Sequence, residues 1–150
     1  MLKEAVNLTQ RLRPSEAWRV YHGIAMVERS LHRPDETGRY LEKALSVIKE
    51  HPVRRVDREY LKTIYMDSAA FFAETDDYRA AAKIYRELLD LIGERDPNYW
   101  ASRLSLAACE AHIQRFDDSR KNLEAVLNFA PEPSLRALAQ KDLVLLEAMR

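Results

Sequence analysis

A spacing of 38 residues constrains this chain more than any other feature. Tyr65, Ser68, Ala69, Phe72, Tyr78, Ala81, Tyr85 and Leu88 recur, each 38 positions later, as Arg103, Leu106, Ala107, Glu110, Phe116, Ser119, Leu123 and Val126. One structural unit is therefore used twice in register. Such a unit cannot bury its apolar face alone and must stack on its neighbours, which implies an extended helical solenoid that binds through its surface.

The helical reading comes from composition and punctuation. Three glycines in 150 residues, with 47% hydrophobic residues and no run of alternating β-branched residues, leave little material for strands. Pro14, Pro34, Pro52, Pro97, Pro131 and Pro133 fall between apolar-periodic segments. Thr75-Asp76-Asp77, Asp96-Pro97 and Asp117-Asp118 supply capping and acidic groups at helix starts. The pattern predicts an all-α chain with helices near 2–12, 15–32, 36–50, 54–74, 77–93, 97–114, 118–129 and 133–149. No Gly/Ser/Pro linker divides it, so residues 1–150 read as a single helical-repeat domain.

Within the unit, small residues at Ala69 and Ala81 allow two antiparallel helices to approach closely, and Phe72, Tyr78 and Tyr85 fill the space beside them. The segment "YMDSAAFFAETDDYRAAAKIYRELL" resembles a tetratricopeptide repeat, and "LAACEAHIQRFDDSRKNLEAVLNFAP" resembles it as well. The departures are Arg103 and Glu110, where that family places large apolar residues, and the period, which exceeds the family's usual 34 residues. These departures imply a less tightly covered helix in the later copy. An upstream copy fits two registers. Either Tyr21, Ile24 and Ala25 lead to Leu41 and Ala44 across an enlarged "RPDETG" turn, with Glu28 at an aromatic position, or Tyr40 and Val47 align with Tyr78 and Tyr85. The resemblance runs from about Trp18 to Pro131 and implies about three repeats with flanking helices. It also implies a non-enzymatic adaptor that binds a peptide or helix of another protein. A regulatory module of a larger signalling protein is the alternative in the same fold.

In that family the first helix of each unit lines the inner groove. The matching faces here carry Arg19, His22, Met26, Arg29 and Ser30 in the upstream unit, and Thr63, Met66, Ala70, Ala73 and Glu74 in the next. Ala101, Leu104, Ala108, Ala111 and His112 follow in the last. The partner-binding face so implied has a basic mouth and a floor of methionine, leucine and alanine, suited to an amphipathic helix or extended peptide. Helix 133–149, with Leu135, Leu138, Leu143, Val144 and Leu146, could instead pack on the last unit and cover part of that floor. The inner-face lysine, asparagine and arginine by which some family members grip a C-terminal carboxylate are replaced here by His22, Met26, Asp67, Ala101 and Ser105.

Other chemistries find little support. Cys109 and His112 sit three apart and could offer two metal ligands, but no second pair has ligand spacing, so no metal or cofactor is expected. His22, His32 and His51 belong to no metalloenzyme motif, and isolated Gly23, Gly38 and Gly93 cannot build a phosphate loop. An all-α enzyme or metal protein around Cys109 and His112 is the rival class. Net charge is zero, distributed as 12 basic against 8 acidic residues over 1–58, 5 against 9 over 59–98, and 7 against 7 over 99–150. An acidic middle provides no phosphate track, so nucleic acid is not an expected partner. No apolar run reaches the ~18–20 residues of a membrane helix. The start "MLKEAVNLTQRLRP" has no secretory core, and a lone cysteine suits a reducing cytoplasm.

Overall fold

A computed structural model of the chain describes residues 13–51 and 57–149; the expected helix at 2–12 lies outside them. The described residues form α1 (Pro14–Ser30), α2 (Pro34–Glu50), α3 (Arg58–Glu74), α4 (Tyr78–Ile92), α5 (Tyr99–His112), α6 (Phe116–Phe129) and α7 (Pro133–Ala148), and they contain no strand. Three helices, α1, α2 and α7, open on a proline in the first turn, where the missing N–H has no intrahelical partner to lose. Asp77 caps α4 by accepting the Ala80 N–H at 3.2 Å. Asp96 instead accepts from Asn98 N–H at 2.8 Å, which folds Pro97 into a turn and delays α5 to Tyr99. Asp117 and Asp118 stand inside the first turn of α6, beside its positive dipole end.

The same turn occurs three times. His32, Asp76 and Gln114 take left-handed φ values of 55°, 63° and 63°. Each follows a first helix and is wrapped by the same two backbone bonds. Arg33, Asp77 and Arg115 donate to the carbonyls of Glu28, Phe72 and Glu110, and His32, Asp76 and Gln114 donate to those of Arg29, Ala73 and Ala111. This is the Schellman closure of a helix, built here without glycine. His32 lies 44 residues before Asp76, and Asp76 lies 38 before Gln114.

That geometry resolves the upstream register. Pro34 follows its turn as Tyr78 and Phe116 follow theirs, so the expected enlarged turn at Arg33–Gly38 is absent and Tyr40 is not the counterpart of Tyr78. The equivalent positions are Ala25, Ala69 and Ala107; Thr37, Ala81 and Ser119; and Ala44, Leu88 and Val126, all buried. Small residues recur at the first two sets, where helices touch. The two hydroxyls there are satisfied by backbone carbonyls: Thr37 donates to Arg33 one turn back and Ser119 donates across the helix pair to Ala107, each at 2.8 Å. The six extra residues of the first repeat fall between the equivalent positions Ala44 and Ala69, which are 25 apart where Leu88 and Ala107 are 19 apart.

The chain divides into two compact units, with the boundary between Ile64 and Tyr65 inside α3. In the first, α1 packs along α2 over Trp18, Ile24, Ala25, Leu41, Ala44 and Ile48. The Trp18 and Tyr60 rings meet at 5.3 Å, and Tyr21 stacks on Tyr40 at 6.3 Å. In the second unit α4, α5, α6 and α7 pack each on the next. Its last helices close over Trp100, Ala107, Leu123, Val126, Ala139 and Leu146. Burying each large side chain of this set contributes roughly 1.5–3 kcal/mol. Arg136 fixes the short α6–α7 connection by donating to the carbonyls of Ala130 and Pro131 at 2.7 and 2.9 Å.

Glu110 differs from the expectation of a less tightly covered helix. Its side chain is only 2% exposed and accepts hydrogen bonds from Arg86 on α4, at 3.2 Å, and from Asn122 on α6. Arg103 donates in turn to Asn122 at 3.0 Å. A polar chain therefore occupies the position that Phe72 holds in the preceding repeat, and it ties three helices together. Glu28, the first-unit equivalent, is buried as well and pairs with Arg33 at 3.5 Å.

Candidate docking face and pocket

The residues expected to line a partner-binding face fall into two groups, one in each unit. In the first unit Arg19 is exposed, pairs with Asp57, and lies 5.1 Å from the Trp18 ring and 5.5 Å from that of Tyr60. His22 is buried, with Nδ1 3.2 Å from the Tyr60 hydroxyl, so it is a packing residue rather than an open contact. Both side chains thus converge on Tyr60. Met26 and Arg29 are half-buried, while Thr63 is exposed and returns its hydroxyl to the Glu59 carbonyl.

In the second unit Met66 and Ala70 are half-buried and Glu74 is exposed on α3. On α5, Ala101 and Ala108 are exposed, and Leu104 is half-buried against the core that includes Trp100 and Leu123. Tyr85 sits behind this face with its hydroxyl beside Ser105; burial raises its pKa above the usual phenol value despite that bond. His112 is exposed and lies flat on Tyr78.

Ala108 and His112 are brought together in a pocket of about 190 Å³. Ala107, Ala108, Ala111 and His112 form the α5 wall, and Ser119 and Leu123 form the α6 wall. Asp142, Leu145, Leu146 and Met149 close it from α7 and the residue after it. Helix α7 therefore packs on the last unit, as its apolar sequence suggests, and leaves space open along the seam. Its apolar residues do not all face inward: Leu146 is buried, whereas Leu138 and Val144 are exposed. The α7 wall was not legible beforehand, because Asp142 interrupts the apolar pattern and Leu145 lies beside, not on, the buried stripe. Asp142 is half-buried and makes no hydrogen bond or ion pair among the described residues.

Cys109 and His112 do not share an environment. Cys109 is buried, and desolvation, aided by the neighbouring Glu110 carboxylate, pushes its thiol up to about 11. It is a protonated packing group at neutral pH, while His112 faces outward. Among the described residues no three His, Cys, Asp or Glu side chains are gathered to hold a metal ion. No described helix is long and apolar enough to cross a membrane. Compared with models of known protein families and with curated proteins, the chain matches none.

Proposed function

We propose that this protein is a non-enzymatic adaptor of the tetratricopeptide type that docks a peptide or amphipathic helix of another protein on the first helices of its repeats. The observation that carries this reading is a run of apolar and small side chains that packing leaves open. Met66 and Ala70 on α3, and Ala101, Leu104 and Ala108 on α5, are half-buried or exposed although their repeat partners Ala69 and Ala107 are sealed. Such a face gains by burial against a partner and presents few charges that would have to be desolvated. The cytoplasm is the compartment that suits a free, buried Cys109.

The test is capture of a partner from the source organism, followed by affinity measurement with Met66→Asp, Ala108→Asp and, as a control on the opposite helix, Lys83→Ala. Each aspartate should weaken binding by about 2 kcal/mol, and the control should leave it unchanged. Wild-type affinity in folded aspartate variants places the interaction on another surface.

A further inference from the structure

The pocket between α5, α6 and α7 has a chemistry narrower than a general docking face. Its walls are mostly alanine, leucine and methionine, with Ser119 on α6, the His112 ring on α5 stacked on Tyr78, and one unpaired carboxylate, Asp142, on α7. No lysine or arginine lines it. Arg120, outside the lining, forms an ion pair with Glu147. A volume of about 190 Å³ accommodates one leucine- or phenyl-sized group, since a cavity of about 150 Å³ takes up benzene. An anion would meet Asp142 as a like charge, whereas a cation beside an apolar group would be attracted to it.

We infer that this pocket is the anchor site of the docking face: it receives one large apolar side chain of a partner segment whose neighbouring lysine or arginine pairs with Asp142. The inference rests on the reading of the repeat face as a protein-docking surface, and it names the chemistry of the segment that binds at its C-terminal end. Leu145 and Met149, both about half exposed at the rim, are the residues an entering side chain would cover.

Three small probes of one branched skeleton test it without the partner: isoamylamine, isoamyl alcohol and isovalerate, titrated into the full chain while the methyl NMR signals of Ala108, Ala111 and Leu145 are followed. The expected order of affinity is amine, alcohol, carboxylate, with dissociation constants on the order of millimolar for ligands of so few atoms. Asp142→Asn should remove the advantage of the amine over the alcohol, about threefold to fivefold for a half-exposed charge pair. Ala108→Phe, at an exposed wall position, should abolish binding of all three while the helical circular dichroism is retained. Absence of any methyl shift, equal affinity for amine and carboxylate, or methyl shifts that grow with protein concentration before probe is added would each overturn the assignment, the last by showing a second copy in the pocket. None of these outcomes bears on Met66→Asp, so failure of the anchor site and failure of the docking face are separable.

Discussion

The imidazole of His112 lies on the ring of Tyr78 with centroids 3.9 Å apart and planes 5° from parallel, joining the end of α5 to the start of α4. The Tyr78 hydroxyl donates to Asp76 Oδ1 at 3.1 Å, and that bond, followed by desolvation, raises the phenol pKa. A pocket-wall histidine is thus held by an aromatic whose own position depends on a turn residue.

Asp76→Asn should lower the Tyr78 pKa toward the ordinary phenol value, because it removes the anion that the phenolate would face. The backbone should be undisturbed, since asparagine accepts the left-handed φ of 63° at least as readily as aspartate. Tyrosine-ring NMR titration of the two proteins reads the change; an unaltered Tyr78 curve would show that Asp76 does not hold the hydroxyl.

The periodic apolar positions made most of the fold legible. Ala69, Ala81, Ala107 and Leu88 are sealed where the 38-residue spacing placed them, because close helix contact admits only small or well-fitted residues there. The register of the upstream unit was not legible from aromatics, since its turn residue is His32 and its small second-helix residue is Thr37, neither of which announces its role. Burial of Glu110 was hidden for a similar reason: a carboxylate in an apolar column looks like a gap until Arg86 and Asn122 are seen to converge on it from other helices. Local pattern identifies helices and faces, whereas polar satisfaction depends on contacts between them.

Glu110→Ala should destabilise the protein by about 2–3 kcal/mol, because it opens a cavity and strips partners from Arg86 and Asn122. Glu110→Met strips the same partners but keeps the volume filled, so it should lose about 1 kcal/mol less than Glu110→Ala. Urea midpoints decide the matter. Equal loss in both variants would mean that the charge itself, rather than the filled volume, holds these helices together.

Burial raises the Cys109 thiol from its ordinary 9.0 to about 11. The folded chain therefore keeps a proton that the unfolded chain has lost, so this contribution is complete below about pH 9 and fades as pH rises toward about 11. A decline on the order of 2 kcal/mol is expected across that window, joined at its upper end by Tyr65 and Tyr85, whose pKa values are also raised chiefly by burial. Cys109→Ala should flatten the early part of the decline, measured as unfolding free energy against pH. An identical slope with and without the thiol would show that Cys109 is solvated.

Gln114 offers the most direct test of the repeated turn. It holds φ at 63° without the freedom of glycine, a conformation that crowds its Cβ against the following carbonyl. Gln114→Gly should therefore raise stability by about 0.5–1 kcal/mol, the relief at the turn exceeding the extra entropy of the unfolded chain. Gln114→Val should lower it by about 1–3 kcal/mol, because a β-branched residue is poorly tolerated there. The same pair of changes at His32 should move the melting temperature in the same two directions, since its turn is closed by the same pair of backbone bonds. A valine variant that melts no lower than the glycine variant at either site would show that the turn is not left-handed, and the shared register of the three units would fall with it.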